Sequence, residues 1–537
     1  MKSPYTLDND QKVAVRNTIF RHLDGLAVIP SAVALKKKGV LQEFARKKSL
    51  HLSEIVRSTY GNPGYLNVAL HLLASQGWLA YLSNGDDPEY QLTAKGLEAF
   101  SAISVYDRAY EFFPFMAKMN ELVNHGFSGE SIEILEDLIR QMASGWKIEH
   151  YEVGEEVSHQ MSMHLEGILI GPIIVALGMG GHLKSMRAQK AFNLELKNPV
   201  VDDLIFALFI SMKWVDKDRS LTPLGDYHLG RAAAYGVTVS YLQTFCWAED
   251  LLYFKGDKLW DKPKGAKEIH VDRTMNVWGS GGAHSTYFKV VDEIIREMFN
   301  KPIDEQPKGV ADMGCGNGAF LEHLYSVVKN ETARGQMLDT HPLLLVGSDF
   351  NQAAIEATRL TLVEADIEHH VLFGDIGNPQ QLADDLMANY GVALGDMLNV
   401  RSFLDHNRIF ETPVYDFSSR EGVSTGAFAF RGRRISNAEI EQNLAEHLYK
   451  WFPYVQRFGL LNIELHTVCP EKAAAHNGEI AMTAYDGTHG FTDQYIVEHE
   501  VFLQVAQEVG LKAQPALMTA YPSNELPVVS INLFKSA

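Results

Sequence analysis

The sequence predicts an α/β fold for its second half and mainly helical, winged-helix-like domains for its first half. In the second half, short apolar segments alternate with helical segments, which predicts a doubly wound parallel sheet. In the first half, a helical pattern that ends in a hairpin occurs twice. At 537 residues the chain is too long for one domain, and we place the domains at residues 1–115, 116–270 and 271–537.

A glycine-rich turn follows the first predicted strand of the second half, in the segment 308–320. The strand ends near Asp312, and Gly314, Gly316 and Gly318 precede a predicted helix. Glycine permits a sharp turn and a close approach of the backbone to a ligand. A Rossmann dinucleotide site would place its third glycine one position later. The spacing here, with an acid two residues before the first glycine, resembles motif I of class I S-adenosylmethionine (SAM) methyltransferases.

Two later strand ends supply further candidate cofactor contacts. Asp349 ends the strand 343–349, roughly thirty residues after the glycines, where a carboxylate can accept both ribose hydroxyls of a nucleoside. Phe350 follows it directly. Asp375 and Ile376 end the strand 370–376, and Asp375 resembles the family residue beside the adenine amino group. Further strands are expected at 392–400 and 459–466, which completes a Rossmann-like methyltransferase domain.

Composition narrows the classes of partner. The net charge of −19 disfavours a generic nucleic-acid binder, because phosphate contacts need concentrated Lys and Arg. Cys246, Cys315 and Cys469 are far apart and show no zinc spacing, which suits a reducing cytoplasm. No apolar run approaches the roughly 18 residues of a transmembrane helix, and the most apolar segment, 168–177, is expected to be a buried helix. We expect a cytoplasmic protein with no nucleic-acid or membrane partner.

The front half contains a diverged repeat. The segment 22–26, His-Leu-Asp-Gly-Leu, recurs as His-Leu-Glu-Gly-Ile at 164–168, and each copy leads into helices and a two-stranded wing. The first wing turns around 84–87. The first recognition helix, around 65–76, carries no Lys or Arg, so DNA contact is disfavoured. Many small-molecule methyltransferases carry such domains for dimerisation or as a substrate lid, and a homodimer through these domains is a further expectation.

A glycine run lies one helix before motif I, within 277–288. In class I methyltransferases this position covers the SAM pocket. The run is either a hinge or a contact to the methionine carboxylate through backbone N–H groups. Tyr287 and His284 are the candidate side chains, and Tyr287 joins the predicted cofactor contacts.

Polar clusters follow the last two strands, at 399–408, 466–468 and 483–495. Chemistry in open α/β sheets takes place beyond the carboxyl ends of the strands. One reading makes a histidine the general base for methyl transfer. The other makes His, Asp and Gln the ligands of a divalent metal, with Mn, Fe, Co or Mg suiting N and O donors, that holds two substrate oxygens and stabilises an enolate.

Three segments, 278–284, 402–406 and 485–494, resemble the C-methyltransferase domains of apratoxin-type polyketide synthase loading modules. The resemblance implies a helical lid over a SAM core, a mononuclear metal, and methylation alpha to a carbonyl of a malonyl-type substrate. It makes His466 and Gln494 the best metal ligands, with Asp405 third. His406, Tyr485 and His489 become substrate or acid–base candidates.

The leading function is therefore SAM-dependent, metal-assisted C-methylation in polyketide or natural-product biosynthesis. The sequence shows no carrier domain, so we expect a free-standing enzyme whose substrate is a carrier-bound acyl group supplied in trans or a free keto or hydroxy acid. A metal-free O-methyltransferase with a His base is the alternative. A SAM-binding winged-helix regulator is the third reading.

Overall fold

The computed structural model describes residues 6–83, 85–261 and 268–537, and within these ranges the side chains of 83 and 282–286 are not described. The side chain of the candidate His284, one residue of the first predicted turn (84) and residues 262–267 are therefore not described. The chain forms two compact units. Unit 1 is Met1–His284 with Ala427–Ile435 and Cys469–Thr492, and unit 2 is Ser285–Gly426, Ser436–Val468 and Asp493–Ala537. The domain limits expected from the sequence stay predictions.

Helices make up most of the regular structure. The α-helices, in chain order, are α1 Asn9–Lys37, α2 Val40–Lys47, α3 Leu52–Thr59, α4 Pro63–Ser75, α5 Ala94–Ala102, α6 Val105–Glu111, α7 Phe113–Met116, α8 Met119–His125, α9 Gly129–Ala143, α10 Glu155–Met179, α11 His182–Gln189, α12 Pro199–Ser211, α13 Pro223–Leu229, α14 Ala233–Val239, α15 Leu242–Cys246, α16 Ala248–Tyr253, α17 Arg273–Phe299, α18 Ala319–Glu331, α19 Gln352–Glu364, α20 Pro379–Tyr390, α21 Asn437–Val455, α22 Pro470–Ala475, α23 Met482–Gly490 and α24 His499–Glu508.

The strands fall into three sheets among the described residues. They are β1 Ser49–His51, β2 Leu79–Ser83, β3 Glu89–Leu92, β4 Gly309–Met313, β5 Leu344–Asp349, β6 His369–Phe373, β7 Leu398–Ser402, β8 Phe428–Phe430, β9 Arg433–Ile435, β10 Leu460–Leu465, β11 Leu511–Ala513, β12 Thr519–Pro522 and β13 Pro527–Ser536.

Unit 1 contains the repeat that the sequence indicates. The helices α4 and α12 are each 13 residues long and each begins with a proline after an asparagine. A threonine, Thr93 or Thr222, caps the helix after each wing. Each wing begins at a buried tryptophan, Trp78 or Trp214, whose backbone closely approaches a glycine of that capped helix. The two copies therefore share the residues that begin their helices as well as their fold. The winged-helix prediction is confirmed.

The two copies contact each other reciprocally where α1 and α10 cross. A methyl group on Gly25 would lie 2.4 Å from Cα of His164, and one on Gly167 would lie 2.6 Å from Cα of His22. Tyr106 is hydrogen-bonded to Nδ1 of His164 at 2.8 Å, and Tyr235 is bonded to Nδ1 of His22 at 2.7 Å. Exchanged contacts of this kind define an isologous interface between two subunits. Here both halves of that interface belong to one polypeptide.

Two helices of unit 1 have the length and apolar composition of a membrane span. They are α1 and α10, and 83% and 78% of their most apolar windows are buried within the protein. All residues of 168–177 are buried in α10. The prediction of a buried helix there is confirmed, and the proline within it does not end the helix.

Two segments from late in the sequence complete unit 1. The hairpin β8–β9 and the helices α22 and α23 pack against α4, the recognition-helix position of the first copy. A methyl group on Gly64 would lie 2.5 Å from Arg433 O, and one on Gly490 would lie 2.8 Å from Val68 Cγ2. Every residue of α4 from Gly64 to Ser75 is buried. A helix covered in this way has no face left for a DNA groove.

The glycine run before motif I, interpreted above as a hinge or a ligand contact, lies within a helix, because α17 runs from Arg273 to Phe299. Gly279 packs where this helix approaches the backbone of Gly236, and a methyl group on Gly279 would lie 2.6 Å from Val237 N. Close helix packing therefore explains this glycine.

Unit 2 is built on an eight-stranded sheet of order β11-β13-β10-β7-β4-β5-β6, with β12 paired to β13. The strands β4, β5, β6, β7 and β10 pair in parallel, and β13 pairs antiparallel to its neighbours. The doubly wound fold predicted from the sequence is confirmed. The fourth strand begins later than expected, because Leu394–Asp396 forms a 3-10 turn. The carboxyl ends of β4, β5, β6, β7 and β10 lie at one edge, where the site is found.

Candidate active site

The glycine turn after β4 has the backbone conformation that requires glycine. Gly314, Gly316 and Gly318 have φ angles of +79°, +58° and +80°, which L side chains rarely adopt. The N–H groups of Gly314 and Cys315 donate to Ser348 O at 2.8 and 3.1 Å, which ties the turn to β5. No atom lies within 4 Å of a methyl group placed on Gly316. The backbone of Gly316 is also held, by Asp349 and by Thr358, so the turn is fixed in shape while the space beside Gly316 is open to a ligand.

Asp312 lies near the end of β4 and is a buried carboxyl with an unsatisfied atom. It is 2% exposed, and its Oδ1 has no hydrogen-bond partner within the described structure. Burial, and then the charge of Asp349, raise the pKa of Asp312 to about 8. Such a carboxyl suits a cationic ligand group, which would supply the missing partner.

Asp349 reaches across the glycine turn. Its Oδ2 accepts from Gly316 N at 3.2 Å and its Oδ1 accepts from Asn351 N at 2.8 Å. The next residue, Phe350, is 62% exposed, and its ring lies 5.3 Å from that of Phe373, which is 52% exposed. Exposed aromatic rings beside a carboxylate fit a nucleoside, with its base on the rings and its ribose hydroxyls on the acid.

The remaining predicted cofactor residues lie at the same edge of unit 2. Asp375 follows β6 and accepts from Gly377 N at 2.8 Å. Ile376 accepts from Trp451 Nε1 at 2.8 Å through its carbonyl oxygen. The ring of Tyr287 lies 5.8 Å from Phe403 and 5.3 Å from Tyr521, so Tyr287 lies by the turn after β7.

The turn after β7 contacts the glycine turn directly. A methyl group on Gly314 would lie 3.1 Å from Leu404 Cδ2. His406 follows two residues later. Because β4 and β7 are neighbouring parallel strands, the candidate base and the glycine turn share one edge of the sheet.

His406 and Glu464 form a buried pair at this edge. His406 Nδ1 lies 2.5 Å from Glu464 Oε1, and the two residues are 5% and 1% exposed. The carboxylate of Glu464 also accepts from the backbone N–H groups of Asp405 at 2.8 Å, His406 at 3.3 Å and Leu465 at 2.7 Å. With Nδ1–H donating to Glu464, Nε2 is the basic nitrogen of the ring, and Asn407 Nδ2 donates to it at 3.1 Å. A histidine oriented by a carboxylate in this way is equipped for general-base chemistry.

The structure does not support the predicted metal role of Asp405. Its carboxylate accepts from Arg401 Nη1, from His447 Nε2 at 2.8 Å and from Asn462 Nδ2 at 2.6 Å. Burial alone would raise the pKa of Asp405, but the Arg401 guanidinium and His447 hold it well below its usual value. Both oxygens of this carboxylate are therefore already hydrogen-bonded, and its charge is balanced by a buried guanidinium rather than by a metal.

His466 and Gln494 do not complete a metal site either. His466 is fully buried, with Nδ1 on Val497 O at 3.1 Å and Nε2 on Ser530 Oγ at 2.7 Å. Gln494 is partly buried in the segment between α23 and α24. In the part of the chain that the structure describes, no group of three or more His, Cys, Asp or Glu side chains could hold a metal ion. The predicted donor set does not fit a metal, because its histidine and its carboxylate are both engaged elsewhere.

Tyr485 and His489 lie in unit 1, on α23, whereas His406 lies in unit 2. Burial, and then the charge of Asp24, raise the pKa of Tyr485. His489 Nδ1 is hydrogen-bonded to Tyr485 O at 2.7 Å. Their acid–base roles stay predictions, since the structure brings neither of them together with His406 in one unit.

Sequence reasoning missed Glu464, Phe373 and Leu404 as parts of the site. A signal existed for Glu464, because it is the single acid in a mostly apolar strand, and a buried carboxylate needs a partner. Phe373 and Leu404 carried no such signal. Their roles depend on which strands are neighbours.

Three family models match the sequence. The AprA MT2-like domain matches residues 268–532, the AprA N-terminal domain matches residues 15–81, and the AprA winged helix domain matches residues 166–255. Together the matched segments span more than half of the chain. The comparison with curated proteins gives no match.

Solved structures with distant similarity include three methyltransferases. The O-methyltransferase family 2 protein from Planctomyces limnophilus DSM 3776, solved with apigenin, is 10% identical, with 100% of this chain and 99% of that chain covered and a TM-score of 0.38. The CurJ carbon methyltransferase is 11% identical, with 99% and 94% covered and a TM-score of 0.39. The citrinin polyketide synthase CMeT domain is 10% identical, with 81% and 97% covered and a TM-score of 0.30.

All three TM-scores are below 0.5, so these likenesses support no conclusion about this chain. The conclusion about this chain rests on the family models and on the glycine turn. The chain carries AprA N-terminal, AprA winged helix and AprA MT2-like domains, and it is a SAM-dependent methyltransferase.

Proposed function

We propose that unit 2 transfers a methyl group from SAM to the carbon alpha to a carbonyl of an acyl substrate, with His406 as the general base. The observation that supports this most is the buried His406–Glu464 pair, on the turn that contacts the glycine turn. The AprA family model over residues 268–532 supports the acyl substrate class. The substrate is either a carrier-bound acyl group or a free acid.

The residues of unit 2 suit each part of SAM. SAM, when bound, supplies an electrophilic methyl group. Asp349 is placed to accept from the ribose hydroxyls, and the unsatisfied oxygen of Asp312 suits the ammonium of the methionine part. Once the acceptor displaces the Asn407 amide from His406 Nε2, this nitrogen takes the proton from the acceptor, and the carboxylate of Glu464 stabilises the resulting imidazolium through Nδ1.

The strength of this base limits the acceptor. A histidine base removes a proton readily only from a fairly acidic group. A carbon between two carbonyls is far more acidic than a carbon beside one, whereas the ionised carboxylate of a malonyl group acidifies its neighbouring carbon much less than a ketone does. We therefore propose a 3-oxoacyl thioester as the acceptor.

No step in this scheme runs through a metal, because His466 and Asp405 are hydrogen-bonded in ways that leave no site for one. Nor does the scheme involve DNA. The helix α4 is buried, and its counterpart α12 carries Asp202 and Asp203 and no Lys or Arg.

The test measures methyl transfer from labelled SAM to 3-oxoacyl thioesters, malonyl thioesters and phenols. We compare the wild type with His406→Ala and Glu464→Gln, and we measure SAM affinity by calorimetry. His476→Ala is the matched control, since His476 and Glu479 form an exposed His–Glu pair at 2.9 Å.

We expect His406→Ala to lose about 100-fold or more in rate and to keep its SAM affinity, while His476→Ala is unchanged. Full activity in His406→Ala would overturn the assignment of the base. Product only from phenols would replace C-methylation by O-methylation, with the same residues in the same roles.

A further inference from the structure

A buried ion pair, formed by Arg401 and Asp405, adjoins the His406–Glu464 pair. Arg401 is on β7, is fully buried, and lies over the Trp451 ring, with its guanidinium carbon 4.2 Å from the ring centre. Its Nη1 donates to Asp405 Oδ1. A buried ion pair of this kind is weak evidence for a role in stability, since two apolar residues often replace such a pair without loss. Its position suggests a role in the site.

Asp405 connects the sheet to the catalytic pair. Its side chain is fixed to three elements, by Arg401 on β7, by His447 on α21 and by Asn462 on β10. Its backbone N–H donates to Glu464 Oε2 at 2.8 Å. The same residue therefore anchors the turn to the sheet and orients the carboxylate that holds His406.

The far end of the turn is also held by a buried cation. Arg408 is 3% exposed, and its Nη1 donates to the carbonyl oxygen of Asp405 at 2.9 Å. Its Nε donates to Asn443 Oδ1 at 2.7 Å. The side chain, the backbone N–H and the carbonyl oxygen of Asp405 are thus all hydrogen-bonded. The turn 405–407 is therefore held at three points by this one residue.

We propose that Asp405, balanced by Arg401, is a positioning residue that holds the turn 405–407 so that His406 Nδ1 meets Glu464. This inference rests on the proposed function and adds residues to it. Asp405 touches neither substrate nor cofactor in this scheme. It acts through the backbone N–H that it directs at Glu464, and His406 is the group that takes the proton.

The test uses a signal that does not depend on turnover. In protein labelled with ¹⁵N-histidine, the proton on His406 Nδ1 gives a low-field resonance because a carboxylate accepts it. Glu464→Gln identifies this resonance by shifting it. We expect Asp405→Asn to shift or broaden the same resonance and to lower kcat at least about tenfold, with SAM affinity unchanged.

A second variant guards against misfolding. Asp405→Asn leaves Arg401 buried and unpaired, which destabilises the fold. The double variant Arg401→Met with Asp405→Asn removes both charges, so it is expected to fold. We expect the same change in the resonance and the same decrease in kcat as in Asp405→Asn alone. The control is Ser530→Ala, which removes a buried partner of His466 on the same sheet and should leave both unchanged.

The proposal is overturned if the double variant keeps both the resonance and kcat of the wild type. That result would leave the proposed function standing. A different result, in which the Asp405 variants lose the resonance while His406→Ala stays active, would refute the assignment of His406 as general base. The turn would then have only a structural role.

Discussion

Asp312 and Asp349 lie near the ends of two adjacent parallel strands, and the charge of Asp349 adds to burial in raising the pKa of Asp312 to about 8. In the SAM-free protein, the ionised form of Asp312 is therefore destabilised. Such a cost is expected at a cation-binding site, because the bound ligand supplies the partner that the folded protein does not.

Replacing Asp312 by Asn should stabilise the SAM-free protein. The folded state binds the proton of Asp312 more tightly than the unfolded state, so the free energy of unfolding falls as pH rises from about 4 to about 8. Asn does not ionise, so the free energy of unfolding of the variant does not fall in this way. We expect Asp312→Asn to raise the free energy of unfolding at pH 8 by more than about 1 kcal/mol, with a smaller gain at pH 5, measured by denaturant titration. Its SAM affinity should fall about tenfold. A variant less stable than the wild type at pH 8 would contradict the raised pKa.

Replacing Asp349 by Ala should weaken SAM binding by about tenfold or more, because two hydroxyls lose a charged acceptor. Calorimetric titration with SAM measures the effect. Asp339→Ala is the control, since Asp339 is exposed and lies outside the site. Equal SAM affinity in Asp349→Ala and the control would remove Asp349 from the cofactor site.

Chelation should leave the enzyme active. We expect protein treated with EDTA and then dialysed to keep its rate of methyl transfer, because the predicted metal ligands are engaged in hydrogen bonds. His466→Ala should lower the free energy of unfolding by about 2 kcal/mol, since it removes a fully buried ring and its hydrogen bonds to Ser530 Oγ and Val497 O. Elemental mass spectrometry provides the decisive measurement. Stoichiometric Mn, Fe or Co in the wild type that disappears in His466→Ala would reinstate the metal mechanism.

The crossing of α1 and α10 should tolerate no side chain at Gly25. A methyl group there meets the backbone of His164 at 2.4 Å, so we expect Gly25→Ala to destabilise unit 1 by about 3 kcal/mol. Gly129→Ala, at the first position of α9 with no atom within 4 Å, should change stability by less than about 0.5 kcal/mol. Tryptophan fluorescence during urea unfolding reports on this unit, because six of the seven tryptophans belong to it. Equal midpoints for the two variants would show that the crossing can adjust.

The sequence predicted those features that are encoded locally. The glycine turn, the succession of strands from β4 to β10 along the chain and the acid at the end of β5 each depend on residues within about thirty positions of one another. The repeat was visible for the same reason, since 22–26 and 164–168 preserve one short pattern. Local propensity and spacing suffice for such features.

The partners of polar side chains could not be predicted in this way. Asp405, His406 and His466 were identified as functional by residue type, but their roles depend on Arg401, Glu464 and Ser530, which the fold brings to them from other elements. The same limit applied to α23, since its place in unit 1 depends on packing against α4. The glycine run before motif I suggested a hinge or a ligand contact. In the structure Gly279 lies in α17 and allows this helix to pack closely on the backbone of Gly236.

The reciprocal crossing within unit 1 also has an evolutionary consequence. In a homodimer, one mutation changes both sides of a twofold axis at once. Here each side is encoded separately, so the equivalent positions Asp24 and Glu166 have diverged. Asp24 is buried and accepts from Ala484 N of α23 at 3.1 Å, whereas the side chain of Glu166 is 24% exposed. One copy of the repeat therefore uses its acid to bind a later segment of the same chain, whereas the acid of the other copy lies 3.5 Å from His22 of the first copy.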